Sequence, residues 1–159
     1  MPPIILLAII TGLPLALAVL LRVKPLYLFV SIVTGYFWVQ FLGETAELIV
    51  RSMVQISHPD IAVRLGLLLL PVVFTFMLMR KTLSASALPF QFILLVANSL
   101  LLATFLIPLL SAGTQGAIYQ THTGSIVRQA HDVSIAGVAG LHLLVMFLMR
   151  PKPHGKHRK

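Results

Sequence analysis

Apolar residues occur in five long stretches separated by short polar interruptions: Ile4 to Leu21, Pro25 to Leu42, Ile61 to Met79, Leu88 to Leu110 and Ile135 to Met149. A helix needs ~20 residues to cross ~30 Å of hydrocarbon, so each stretch is long enough, or nearly so, for a membrane crossing. The expected fold is all-α: a polytopic membrane protein whose helices form an up-and-down bundle, because short loops keep consecutive helices adjacent. Residues 1–150 are read as one transmembrane domain and residues 151–159 as a basic cytoplasmic tail.

The punctuation agrees with this division. Pro25 suits a first helical turn, where no intrahelical donor is required. Asp60 and Ser86 are expected to cap the third and fourth helices, with Pro89 in the first turn of the fourth. Ser125 is expected to start the fifth helix ten residues before its apolar part. Ile126, Val127, Ala130 and Val133 then give that approach an amphipathic character suited to the interface. Pro14 and Pro71 are expected to bend their helices.

Composition supports the membrane reading. Of the 159 residues, 58% are apolar, twelve are Lys or Arg and four are Asp or Glu. So few charges cannot cover a water-soluble domain of this size. Cysteine is absent, which removes disulfides, thiol nucleophiles and thiolate metal sites. The net charge of +8 is not read as nucleic-acid binding, because the cations sit at the ends of apolar stretches.

The cations also set an orientation. Arg22, Lys24, Arg80, Lys81, Arg150, Lys152, Lys156, Arg158 and Lys159 fall on one side, and Arg51, Arg64 and Arg128 on the other. Glu44, Glu47, Asp60 and Asp132 share the second side. The positive-inside rule places the amino terminus outside and the carboxyl terminus in the cytoplasm of a cell-membrane protein. In the first segment the charges follow the apolar run, the reverse of a signal peptide, so it is expected to be retained. The basic run from Arg150 to Lys159, with five Lys/Arg and two His, is expected to anchor the topology and attract anionic lipid.

Polar residues within the apolar stretches are the chemical candidates. Gln40, Glu44, Glu47 and Arg51 follow spacings of four, three and four, which align them on one helical stripe and allow Glu47 to pair with Arg51. A helix from Pro25 to Arg51 would extend ~40 Å, which brings Glu44 near the outer edge of the hydrocarbon. Tyr36, Phe37 and Trp38 read as packing or interface residues. His142, Asn98, Ser99 and Thr34 come out at similar depths and form an expected mid-membrane polar layer, where groups must find partners within the protein. Ala136, Gly137 and Gly140 form a small-residue contact surface on the last helix. His58, His122 and His131 show no fixed ligand spacing, and neither a metal nor another cofactor is assigned.

The run from Glu47 to Arg51 resembles half of the E-E-x-x-x-R motif of the intramembrane CAAX-protease-like family. Here the residue before Glu47 is Ala46, no Phe is followed four residues later by His, and no His is followed four residues later by Asn or Asp. The glutamate-and-histidine site which that family implies is therefore incomplete. In length and helix layout the chain is also similar to the small colicin V production protein-like family, without a shared motif. The expectation is a non-catalytic subunit that packs against itself or other membrane proteins. The alternative is a small channel or proton/ion pathway using Glu44, Glu47, Arg51, Asn98 and His142.

Overall fold

A computed structural model of the chain describes residues 3–53, 59–83 and 88–148. Within them the regular structure is helical: α1 (Pro3–Leu20), α2 (Pro25–Met53), α3 (Pro59–Leu78), α4 (Leu88–Leu106), α5 (Ala112–Tyr119) and α6 (His122–Leu148). A 3₁₀ turn, Ile107–Leu109, joins α4 to α5. Three helical segments are long and apolar enough to cross a bilayer: Pro25–Met53, Asp60–Leu78 and Gln91–Leu109. A fourth crossing results if both limbs of α6 are taken together. The apolar part of α1, Ile4–Leu20, is shorter.

Helix ends follow local chemistry, with two departures from expectation. Pro25 opens α2, and Pro89 lies in the first turn of α4; Ser86 lies outside the described residues. Asp60 sits inside the first turn of α3 and not at its cap, because Pro59 already supplies the pre-set φ of a first helical residue. The turn before α6 is held by Thr121 instead of Ser125. The Gly124 amide donates to Thr121 Oγ1 at 3.0 Å, and the Ser125 hydroxyl points back to the His122 carbonyl at 2.7 Å. A Cβ at Gly124 would run into the Ile118 backbone, so the tight corner between α5 and α6 depends on glycine. The axis of α6 then turns by 82° between its limbs His122–Gln129 and Val133–Phe147. In the first limb Val127 is buried and Ile126 is exposed, while the Ala130 side chain lies outside the described residues.

The fourth helix occupies the middle of the bundle, packed against α1, α2 and α6. Leu95, Leu101, Leu102 and Phe105 on α4 join Leu28 and Ile32 on α2, and Leu68 and Val72 on α3, in the main core. A smaller cluster of Leu7, Ile107, Ile118 and Val127 seats α5 and the first limb of α6.

The closest helix pair is α2 with α3. Gly35 on α2 lies directly on the Leu68 backbone of α3. One turn earlier on α2, the Ser31 and Thr75 hydroxyls hydrogen-bond across the same interface. At the end of the bundle below this contact, the α1–α2 and α3–α4 loops are joined. The Lys81 amide donates to the Leu21 carbonyl at 2.8 Å and the Leu83 amide to the Arg22 carbonyl at 2.7 Å. The Lys24 amide donates to Thr82 Oγ1 at 3.1 Å. Arg22, Lys24, Arg80 and Lys81 therefore share one end of the molecule.

Replacing Gly35 by Ala forces a side-chain atom into the Leu68 backbone. It should cost about 1–3 kcal/mol, as overpacking does. Gly66→Ala, where nothing lies within 4 Å, should be neutral or stabilising by up to ~1 kcal/mol, because alanine is the better helix former. Thermal unfolding of the two detergent-solubilised variants checks the opposite signs.

Candidate functional site

The polar residues separate into two groups, one at an end of the bundle and one in its interior. The first begins on the last turns of α2. Arg51 Nη2 donates to Glu47 Oε1 at 2.6 Å, the pairing one turn apart that the spacing implies. Arg64 on α3 approaches the other oxygen of Glu47, with Nη2 to Oε2 at 3.8 Å. The Glu47 side chain is only 16% exposed, whereas Arg51 and Arg64 are 58% and 41% exposed. Asp60 adds a second carboxylate to the same surroundings. These groups line an open cleft of about 380 Å³ that is completed by Pro108, Leu109, Ser111 and Ala112.

The sequence stripe is only part of this cleft. Gln40 instead faces a smaller crevice of about 60 Å³ beneath it, with Tyr36, Val39, Leu68 and Phe105. Glu44 is exposed and forms no ion pair among the described residues. Arg64 and Asp60 are the site residues that spacing on α2 alone misses. They lie four apart at the start of α3, which places them on one face. Only the antiparallel packing of α3 on α2 brings that face to Glu47. The Arg64 stem passes over Gly43, with Cγ at ordinary contact distance, 3.8 Å, from a Cβ built there.

The interior group is built around α4. Asn98 is fully buried, and its Nδ2 donates to the Pro25 carbonyl at 2.7 Å. Its Oδ1 is buried with no hydrogen-bond partner. The neighbouring Ser99 hydroxyl donates to the Thr11 carbonyl of α1. His142 stacks on Phe29, with ring centroids 4.9 Å apart. Its Nδ1 lies 2.9 Å from the Val138 carbonyl, an arrangement that requires the proton on Nδ1. The buried Nε2 has no hydrogen-bond partner among the described residues. Asn98 and His142 thus both reach the opening turns of α2, at Pro25 and Phe29. Thr34 lies about 7 Å further along the helix from Phe29 at 1.5 Å per residue, so it belongs to a different level.

Of the aromatic residues Tyr36, Phe37 and Trp38, only Tyr36 packs inside the bundle, and the other two are exposed. Tyr36 stacks on Phe105 with centroids 4.3 Å apart, and Phe37 stacks on the exposed Phe41 at 6.0 Å. Among the described residues, no three His, Asp or Glu side chains gather in a way that would hold a metal. The side chains of His58, His131 and Asp132 lie outside the described residues.

Asn98→Ala should lower stability by about 2–4 kcal/mol. It loses an interhelical bond worth ~0.6 kcal/mol on average and opens a cavity in a packed core. Glu47→Gln should cost less than ~1 kcal/mol, and that loss should shrink with added salt because both arginines are substantially exposed. Chemical unfolding at two salt concentrations separates the two effects.

Searches against protein families, curated proteins and solved structures find no match to this chain.

Proposed function

We propose that the chain is a non-catalytic integral membrane protein that packs in the bilayer against a second copy or a larger membrane partner. The observation that carries this reading is the outer face of α6. Ala136, Gly137 and Gly140 are all exposed, and a Cβ at Gly137 or Gly140 would meet nothing within 4 Å. With Val133, Leu144 and Phe147, also exposed, they form an apolar stripe at helical spacing. Small residues let two membrane helices approach closely. The opposite face, with Ile135, Val138 and His142, is already engaged in the bundle.

The topology that accompanies this proposal has five crossings. The second limb of α6 supplies the last, and α1 crosses despite its shorter apolar run through local thinning of the bilayer around it. The shared end holding Arg22, Lys24, Arg80 and Lys81 is then cytoplasmic by the positive-inside rule, and the carboxyl terminus lies on the same side. The basic tail of residues 150–159 would rest on anionic lipid there.

Mass measurement in mild detergent should find a complex larger than one chain, and Gly137→Leu with Gly140→Leu should convert it to a single chain. A strictly monomeric parent that copurifies with no partner overturns the reading.

A second reading, a proton or ion pathway, is favoured by the unpartnered acceptors Asn98 Oδ1 and His142 Nε2 in the bundle interior. The pathway would run between these groups and an outer mouth at Glu44, Glu47 and Arg51. It predicts that the parent protein conducts in liposomes and that His142→Ala or Glu47→Gln changes the flux. Absence of flux in the parent removes it.

A further inference from the structure

The cleft at the end of α2 and the crevice beneath it are neighbours, with Pro108 and Leu109 in the lining of both. We infer that together they bind a phospholipid whose headgroup carries both a phosphate and a primary ammonium, with part of an acyl chain in the crevice. The inference rests on the membrane reading above and adds a ligand to it.

Depth is the first support. Glu47 lies 22 residues beyond Pro25, about 33 Å along α2 at 1.5 Å per residue. Pro25 itself adjoins the basic loops at the other end. Glu47 therefore reaches just past ~30 Å of hydrocarbon, at the level of lipid headgroups. Tyr36 and Gln40 lie about 16 and 22 Å from Pro25 on the same scale, so the crevice is at acyl-chain depth.

Charge is the second. Glu47 is held closely by Arg51 at 2.6 Å, while Arg64 stands off at 3.8 Å. Arg64 retains donor capacity, its side chain being 41% exposed. A phosphate oxygen satisfies such a group through a charge-assisted bond. One turn before Arg64 on the same face of α3, Asp60 forms no ion pair among the described residues, and an ammonium with free N–H groups complements it. Ser111 also leaves the amino end of α5 without a side-chain cap, so amide hydrogens at the rim of the cleft add to the phosphate's surroundings. A simple anion would leave Asp60 unmatched and repelled, and a simple cation would leave Arg64 unmatched. A zwitterion answers both.

The test uses the full chain in vesicles or nanodiscs of phosphatidylcholine doped with phosphatidylethanolamine or phosphatidylglycerol, with bound lipid read by native mass spectrometry. Phosphatidylethanolamine should be retained over both others by roughly tenfold, the scale of one charge-assisted hydrogen bond. Phosphatidylcholine has no N–H to offer Asp60, and phosphatidylglycerol has no cation. Asp60→Asn should abolish that preference while lipid binding persists. Arg64→Gln should weaken retention of all three. Equal retention of the three lipids by the parent, or an unchanged preference in Asp60→Asn, overturns the inference. Displacement by free phosphoethanolamine at equal concentration overturns the acyl-chain assignment and points to a soluble phosphate ester. A carbonate wash separates the two levels. Release of the protein from the bilayer overturns the membrane reading and this inference with it, whereas firm retention without headgroup preference overturns this inference alone.

Discussion

In a bundle whose helices are almost wholly apolar, the supply of hydrogen-bond partners governs the structure. In hydrocarbon, a polar side chain must find its partner inside the protein. The nearest one is the carbonyl four residues earlier on its own helix. Thr11, Ser31, Thr104 and His142 all take it, at Leu7, Tyr27, Leu100 and Val138. Each residue sits on a different helix, yet the solution is the same. Such a bond satisfies the side chain without committing the helix to any neighbour.

Against that background the bonds that cross between helices are informative. Asn98 to Pro25, Ser99 to Thr11 and Ser31 to Thr75 tie α4 to α2, α4 to α1 and α2 to α3. Together they connect the first four helices. Neighbouring residues Asn98 and Ser99 on α4 face two different partners, which is feasible because α4 is surrounded on several sides. Lipid tails are as apolar as the side chains they would replace, so close packing and these few bonds hold the bundle together. Gly35 against the Leu68 backbone is the clearest case of close packing.

The two ends of the bundle differ in chemistry. One carries cations alone, on loops tied together by backbone hydrogen bonds. The other combines Glu47, Asp60, Arg51 and Arg64 around a cleft. This contrast, together with the uncovered small-residue face of α6, gives the protein three separate surfaces toward its surroundings.

Much of the fold was legible in the residues themselves. The apolar stretches marked α1 to α4 and the second limb of α6 but not α5 or the first limb of α6, Pro25 marked the start of α2, and the four-residue spacing from Glu47 to Arg51 described a real pair. These features are local: a helix is built from neighbours in the chain, and its periodicity is written in the residue order. The start of α6 was less legible, because Thr121 and Ser125 are both good caps and the choice fell to the Gly124 corner. What lay beyond reading was which faces meet. Nothing in the order of residues says that Arg64 turns toward Glu47, that Asn98 reaches the Pro25 carbonyl, or that Gly137 and Gly140 face outward instead of into the bundle. When nearly every face of a helix is apolar, hydrophobic pattern no longer distinguishes inside from outside. Only the three-dimensional fit of small residues and scarce polar groups makes that decision.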